Sequence, residues 1–513
     1  MALLQHGVRV QERATSIVAP VLGTAGLQVI FGTAPVNLTD DPYSKTNKPI
    51  IAYSWNEAVS QLGYSEELDT IGHYRYTLCA SMYLNFQLFA VAPVIFVNVL
   101  DPTKHKKKND TKTAEVVDME ATVRTTGILL DTVEVSTQVQ TGAGEGGADI
   151  PAKKLTNGTD YVLSFDDDGY LVITLVATGA GASAKGLSVE STSIDPTAVD
   201  ESDVIGVSAT GGEKGMEVLR QIYPRLGMTP GLILAPGWSH IPDVGIVLAA
   251  KCVEINGYFS CECFVDIDSR EGHCTSYSGV KVAKEAAGCT SIHTMALWPC
   301  IQVGSKKFWY SAVMGAVTAY MDATNDDVPN LSPSNRLIGI TGTVLADAVY
   351  TKAEDGSGSW DKEVLLDQLQ GNAVNSFGVT TAINNNGWRT WGNRTAAYSS
   401  ITDPKDMWFC CRRFFSWWGN SFILTYAQKV DNPANRRLIE SIVDTENIRG
   451  SSYVPDKCAG IRIEYIPEEN AITDLIDGHL KFHQYLAPYV PAEDILNTLE
   501  FDVNALQEAL NGG

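Results

Sequence analysis

Short apolar strands alternate with helical segments between residues 232 and 321, and this alternation constrains the fold more than any other feature of the sequence. The predicted strands cover 232–235, 263–268 and 295–298, and the predicted helices cover 244–253, 280–287 and 308–321. Strands and helices at this spacing form βαβ units, whose parallel strands are covered on both faces. Residues 36–102, with predicted helices over 56–62 and 74–86 and a strand over 94–99, have the same character. We therefore assign 36–102 plus 214–370 to a middle α/β domain.

Residues 103–213 interrupt this domain with a segment of different composition. The segment has no Cys or Trp and only three aromatic residues, whereas the whole 513-residue chain has 10 Trp, 20 Tyr and 15 Phe. Short β-rich runs at 132–139, 161–165 and 171–176 alternate with turns, and Asp166–Gly169 is typical of a hairpin turn. We predict a small all-β domain inserted into the middle domain. It carries nine Lys or Arg against eighteen Asp or Glu, a net charge of −9.

The last 140 residues predict a third unit of α+β type. Asn432 and Pro433 have the residue types of a helix start, and an apolar stripe at helical spacing follows them. Residues 461–465 alternate as a strand, the acidic pair 468–469 begins a short helix that Gly478 can end, and 480–486 predicts a second strand.

Both ends of the chain carry a predicted strand, in which apolar residues alternate with charged ones. The N-terminal strand contains Val8, Arg9, Val10 and Arg13, and the C-terminal strand contains Leu499, Glu500, Phe501, Asp502 and Val503. Two prolines at 488 and 491 precede the second strand, which therefore lies on an arm leaving its domain. Each strand either pairs within its own subunit or is donated to a neighbour by β-augmentation. In the second case the two arginines would face the two acids across strands.

No motif for a metal or a phosphate is complete. The glycine-rich stretch 142–147 lacks the Lys-Ser/Thr of a phosphate loop, and Asp166–Asp168 lacks the ligand spacing of a calcium loop. His479 and His483 have no evident third ligand, and Cys261, Cys263, Cys410 and Cys411 do not match zinc spacings. We expect no metal and no cofactor.

The sequence gives only one weak case for catalysis. Asp266, Asp268 and His293 lie near predicted strand ends, where open-sheet enzymes place their sites. Ser239 precedes His240, but adjacency does not make a catalytic pair, and no GxSxG turn is present. We predict that the chain is not an enzyme.

The chain carries 38 Lys or Arg and 60 Asp or Glu, and its net charge of −22 disfavours nucleic acids and anionic membranes as partners. No apolar run reaches the roughly 18 residues of a spanning helix, and the first residues lack the pattern of a secretory signal. Ten Cys without CxxC pairs are typical of reduced thiols in a protein made in a cytosol.

Five stretches resemble motifs of the tail sheath proteins of contractile phage tails and of R-type bacteriocin particles. Residues 7–12 are similar to the opening PGVYVxE, with His6 at the usual proline, and 29–35 resemble the first core strand and its turn. Residues 55–63 resemble a helix motif in which Ala and Leu here replace two aromatic residues. Residues 387–395 contain WGNRT, the most specific match, and 488–495 resemble the PxxPAExI entry to the C-terminal arm.

The resemblance implies a structural subunit that polymerises as stacked hexameric rings around a tail tube and contracts to drive the tube through a target cell envelope. It implies a subtilisin-like α/β core without a catalytic triad, and terminal arms that are swapped between subunits. Residues 1–35 would be the N-terminal arm and the first strand of an inner assembly domain, 371–495 the inner C-terminal assembly domain, and 496–513 the C-terminal arm. The inserted all-β domain, 103–213, would lie on the outer face. Gly23, Gly26 and residues 487–491 are predicted hinges.

The implied partners are neighbouring sheath subunits, the tail tube protein, and the baseplate and tail terminator proteins, without direct contact to nucleic acid and without membrane insertion. The protein would be made in a bacterial cytoplasm and assembled into a virion tail or phage-tail-like particle. Arg436 and Arg437 are candidates to face the tube; alternatively they pair within their helix with Glu440. Two other functions stay open: a hydrolase with an inserted β domain, and a different self-assembling shell protein.

Overall fold

The computed structural model describes residues 23–138, 151–209 and 212–511. An eight-stranded sheet forms its centre. The strands are β1 (Gln28–Gly32), β2 (Pro49–Ala52), β3 (Val94–Asn98), β4 (Leu232–Leu234), β5 (Glu262–Asp266), β6 (Thr294–Leu297), β7 (Val379–Asn384) and β8 (Trp388–Trp391). Their order is β2-β3-β1-β4-β5-β6-β7-β8, and only the two outermost strands are antiparallel to their neighbours. The predicted parallel sheet is confirmed within a mixed α/β multidomain fold.

The central strands are buried along their whole length. Every residue of β1, β3 and β5 is buried. Because successive side chains of a strand point to opposite faces, the sheet is covered on both sides, as continuous apolar runs predict. The helices are α1 (Trp55–Leu62), α2 (Thr77–Met82), α3 (Leu219–Leu226), α4 (Pro242–Ala250), α5 (Val280–Ala286), α6 (Tyr310–Ala323), α7 (Gln368–Asn375), α8 (Phe409–Tyr426), α9 (Arg436–Ser451), α10 (Ile472–Ile476) and α11 (Val503–Asn511), with further short helices at Glu201–Ile205 and Pro404–Met407.

Two of the predicted domain limits need correction. β1 pairs with β3 and β4 at the centre of the large sheet, so it is not a strand of the inner assembly domain. Its sequence QVIFG suits the centre, because a strand buried on both faces needs apolar side chains on each. β7 and β8 extend the same sheet, so the limit between 370 and 371 lies too early in the chain.

Within the insertion, residues 112–190 form two three-stranded antiparallel sheets. The strands are Lys112–Glu115, Glu120–Val123, Glu134–Thr137, Tyr161–Phe165, Leu171–Leu175 and Gly186–Glu190. Leu171, Ile173 and Leu187 belong to an apolar cluster separate from that of the large sheet. The hairpin between Phe165 and Leu171 is present, and Gly169 adopts a φ of 78° at its turn. Lys106–Lys108 pairs with Thr192–Ile194 where the chain enters and leaves.

Three small sheets complete the body outside the C-terminal unit. Their strands are Cys300–Val303, Lys306–Phe308 and Gly342–Val344 in one, Tyr350–Lys352 and Gly358–Trp360 in the second, and Ser208–Ala209 and Gly212–Glu213 in the third. In the C-terminal unit, β9 (Cys458–Glu464) and β10 (His483–Pro488) form an antiparallel pair, the hairpin sheet, on which α9 packs. The predicted start of α9 at Asn432 is wrong. Asn435 caps the helix, because its side chain accepts the Leu438 N–H at 3.0 Å.

Candidate assembly site

The hairpin sheet presents one occupied edge and one open edge. On α9, the Asn447 amide donates to the Ile463 carbonyl at 3.2 Å and accepts the Ile463 N–H at 3.0 Å. The main-chain groups of Ile463 therefore point away from β10, and its opposite residue Gln484 points away from β9. By the same alternation, Leu486 also points outward. Across the described residues, the outward main-chain groups of Gln484 and Leu486 have no hydrogen-bond partner outside the hairpin.

An unpaired row of N–H and C=O groups is a template for another strand. The side chains of β10 alternate between exposed and half-buried, so a strand added beside Gln484 and Leu486 would not displace the packed core. The edge of β9 is different, since Asn447 already occupies it. The structure thus distinguishes the edge of β10 as the one that can accept a strand.

The C-terminal arm, residues 489–511, leaves the body directly after β10. Residues 489–502 form neither helix nor strand, and α11 begins at Val503. Leu499 and Phe501 are 87 % and 75 % exposed. The C-terminal segment therefore does not pair within its own subunit, and its donation to a neighbour stays a prediction. The predicted strand extended through Val503, whereas this residue starts a helix that the sequence analysis missed.

The N-terminal segment with Val8, Arg9, Val10 and Arg13 lies outside the described residues. The chain that follows it is held firmly by α8. The Gly23 N–H donates to the Ser421 hydroxyl at 2.9 Å, and the Trp417 indole donates to the Gly23 carbonyl at 2.9 Å. These contacts hold Gly23 against α8 in the single chain, and its role as a hinge stays a prediction.

The WGNRT stretch meets the base of the arm. The Arg394 side chain pairs with the Glu493 carboxylate through two nitrogens, with Nε at 3.2 Å from Oε1. The Arg394 guanidinium also lies over the rings of Trp408 and Tyr398, 3.5 Å and 4.4 Å from their centroids. In the described part of the chain, this pair, which we call the latch, is the only hydrogen bond or ion pair between residues 490–511 and the body.

The other residues of this stretch hold Arg394 in place. Gly392 adopts a φ of 133°, and a Cβ there would lie 2.6 Å from the Asn375 Oδ1 atom, so only glycine fits. The Trp391 indole donates to the Asn372 side chain at 2.8 Å. The Thr395 hydroxyl donates to the Asp406 carbonyl at 2.5 Å. The sequence singled out both stretches but did not predict that they touch. The available signal was an Arg and a Glu inside two family-like motifs.

The predicted tube-facing arginines differ from each other. Arg436 pairs with Glu440 one turn away, at 2.7 Å, and its side chain is 91 % exposed. Arg437 is exposed, and no ion pair of it occurs among the described residues. Arg436 therefore pairs with Glu440 within its own helix, which was the alternative to facing the tube. Arg437 remains available to an acidic group of another protein.

The residues of the weak catalytic case are not brought together. Asp266 ends β5, whereas His293 lies beside Glu262 at the other end of that strand, about 13 Å away for four residues of strand. Asp266 accepts the Ser311 N–H and hydroxyl at 2.8 and 2.5 Å and the Ser239 hydroxyl at 2.8 Å. Burial raises the pKa of Asp266 to about 6. The carboxyl thus joins β5 to the start of α6.

The remaining candidates also have structural roles. His240 stacks on Trp309 at 4.3 Å, and burial lowers its pKa to about 4. Asp268 pairs with Arg270 through two nitrogens. The cysteines at 261, 263, 410 and 411 are buried and free. Over the described ranges, no cluster of three or more His, Cys, Asp or Glu could hold a metal ion, and no helix is long and apolar enough to cross a membrane.

Comparison with known proteins relates this arrangement to one class. No family model matches the chain. The tail sheath protein of Burkholderia phage BcepMu is 25 % identical over 506 residues, 94 % of each chain. The chain is similar to contractile tail sheath proteins along nearly its whole length. The tail sheath protein of Escherichia phage P2 is 23 % identical over 311 residues, covering 57 % of this chain and 69 % of that protein.

Solved sheath structures share the fold. The sheath complex of the extracellular contractile injection system PVC, in its contracted state, superposes with a TM-score of 0.56 at 14 % identity, covering 98 % of this chain and 99 % of that one. The helical sheath of the anti-feeding prophage in its contracted state gives 0.52 at 13 % identity, covering 97 % and 99 %. These alignments extend over nearly the whole chain, so the chain shares the overall fold of these sheaths.

Proposed function

We propose that the chain is the structural subunit of a contractile tail sheath, which polymerises as stacked hexameric rings around a tail tube. The observation that carries this proposal is the similarity to a tail sheath protein over 94 % of both chains. It is supported by a fold shared with contracted sheaths over 98 % and 97 % of the chain. Contraction would drive the tube through a target cell envelope.

In this proposal the arms connect the subunits. The C-terminal segment around Leu499 and Phe501 is exposed and unpaired in the single chain, and β10 offers an open edge through Gln484 and Leu486. If the segment of one copy pairs as a strand with β10 of another copy, the exposed segment gains main-chain partners and the open edge of the hairpin sheet is filled. Main-chain hydrogen bonds would supply the affinity, and the connection would persist while the subunits rotate. The N-terminal arm is proposed to act in the same way.

The subunit needs no catalytic chemistry for this function. We propose a subtilisin-like core that has kept the α/β architecture only, since Asp266 and His293 lie at opposite ends of β5. The energy of contraction would be stored at assembly, because an extended array can be metastable relative to a contracted one that buries more surface between subunits. The proposed partners are further sheath subunits, the tube, the baseplate and the terminator, within a virion tail or phage-tail-like particle.

Electron microscopy of the purified protein tests this function. We expect hollow cylinders or stacked rings, and loss of these assemblies on deletion of residues 496–513. Monomers under all conditions, or cylinders unaffected by the deletion, would contradict the proposal.

A substitution at the open edge tests the donated strand itself. Gln484→Pro removes an N–H that the hairpin does not use, so the subunit should fold while the added strand loses a hydrogen bond. Gln484→Ala is the matched control, because it also loses the contact between the Gln484 side chain and Glu446 but keeps the N–H. Assembly that fails in the proline variant alone supports the mechanism; equal assembly of both variants contradicts it.

A further inference from the structure

The helix at the end of the arm has an apolar face that is largely exposed in the described part of the chain. Val503, Leu506 and Leu510 lie on one face of α11 and are 62 %, 46 % and 76 % exposed. A helix of nine residues is marginal in water without a surface to pack on. The apolar face therefore needs a partner that the single chain does not supply.

The C-terminal unit carries an apolar groove of about 450 Å³. Ile439 of α9, Leu475 of α10, Tyr465 and Leu480 line it. The neighbouring residues Ile472 and Ile476 of α10 are 70 % and 76 % exposed and extend the apolar surface beside it. Exposed apolar surface next to a groove of this kind is typical of a site where another protein segment docks.

The groove lies at one end of the hairpin sheet. Glu464 pairs with His483 at this end; Tyr465 follows β9 directly, and Leu480 lies three residues before the start of β10. A strand added antiparallel to β10 runs towards His483 and releases its chain here. Since α11 begins directly after the predicted donor strand, that arrangement delivers the helix to the groove.

We propose that α11 of one copy occupies the groove of a second copy, with its apolar face on Ile439, Leu475 and Leu480. This inference rests on the proposed donation of the arm. A chain's own arm departs from the opposite end of the sheet, where Pro488 pairs with Cys458. The second copy is the occupant because the donor strand that precedes α11 is proposed to lie on the hairpin sheet of that copy. The 14 residues of 489–502 span up to about 46 Å when extended, which is enough to reach a neighbour.

Cross-linking between copies tests the contact. One chain carries Leu506→Cys. A second chain carries Leu475→Cys and a tag that changes its mass. The ten native cysteines are all buried and free, so they do not compete for the cross-link. We expect a disulfide between the two chains in assemblies. Ala505→Cys, on the far side of α11, is the control and should give at least ten-fold less product. A further variant carries Leu506→Cys and Leu475→Cys in the same chain. If its disulfide forms only within that chain and never between copies, the proposal is overturned.

Substitution and truncation separate this inference from the donated strand. Leu506→Gln with Leu510→Gln should raise the concentration needed for assembly at least ten-fold, whereas Ala505→Gln should leave it unchanged. Removal of 503–513 should act like the double variant. Cylinders that form normally without 503–513 but not without 496–513 would refute helix docking and keep the donated strand. Cylinders that form without 496–513 would refute both.

Discussion

The latch between Arg394 and Glu493 should decide how firmly the arm is held on the free subunit. We consider Glu493→Gln, which removes the carboxylate charge and keeps the shape of the side chain. Arg394 is 10 % exposed and Glu493 is 44 % exposed. A fully buried charged hydrogen bond contributes about 1.5–3 kcal/mol and an exposed ion pair about 0.2–1 kcal/mol. Because only Arg394 is buried, we expect Glu493→Gln to reduce the free energy that holds the arm on the body by about 1–2 kcal/mol.

This loss corresponds to a roughly 5- to 30-fold shift from the seated to the released arm, since 1.4 kcal/mol is a factor of ten. Pulsed electron paramagnetic resonance between spin labels at Thr498→Cys and Ser376→Cys measures the two populations. Both positions are exposed, and the native cysteines are buried. The distance distribution should be narrow in the otherwise native chain and broad in Glu493→Gln.

Asp494→Asn is the matched control, because this neighbouring acid lies in the same cleft without a hydrogen bond or ion pair to any described residue. It should leave the distribution narrow. Equal distributions for Glu493→Gln and the native arm would refute the reasoning, and so would equal broadening by Asp494→Asn, since a general charge effect would then suffice.

Three further predictions concern the body and the proposed tube contact of α9. Asp322→Ala leaves the buried Arg413 guanidinium, which lies 3.1 Å from the Asp322 carboxylate, without its charged partner. Denaturant titrations should show a free energy of unfolding lower by about 3–5 kcal/mol, a far larger loss than that caused by Asp326→Ala at an exposed neighbour. Burial raises the pKa of Asp266 to about 6 from an unfolded value near 4, so between these values the folded state binds a proton that the unfolded state has lost. The free energy of unfolding should therefore fall as pH rises from 4 to 6, by up to about 3 kcal/mol. Asp266→Asn should flatten this pH dependence in thermal melts, and an unchanged slope would contradict the prediction. Arg437→Glu should weaken binding of the assembled sheath to its tube in co-sedimentation more than Arg436→Glu does, because Arg436 is already paired with Glu440; equal effects would argue against a distinct role of Arg437.

Local patterns predicted the elements of the large sheet well. β5 and β6 contain the apolar runs Cys263–Val265 and Met295–Leu297, because both faces of a central parallel strand are buried, and this requirement is visible in the sequence. The hairpin at Asp166–Gly169 was predictable for a similar reason, since its turn needs a glycine at positive φ. The position of β1 between β3 and β4 was not, because the pairing partners lie far apart in the chain.

The assembly site was predictable in part only. The alternation of Leu499, Phe501 and Val503 predicts a strand. Val503 also belongs to a second pattern with helical spacing, in which Val503, Leu506 and Leu510 share one face of α11. The latch joins residues 99 positions apart and depends on the bend at Gly392, which no local pattern encodes. Asn447 lay inside a predicted helix, and its hydrogen bonds to Ile463 depend on how α9 packs on the hairpin sheet.

The distribution of contacts places the deformable part of the subunit in the arm. The body contains buried charged pairs, such as Arg413 with Asp322 between α8 and α6 and Arg449 with Glu446 within α9, and removing one partner of such a pair is costly. Residues 489–502 have no ladder of hydrogen bonds and one ion pair to the body. Because a displacement between subunits is taken up where resistance is least, rigid bodies should rotate while this segment bends. In the proposed array, this division would let the dimensions change without breaking the donated strands that connect the subunits.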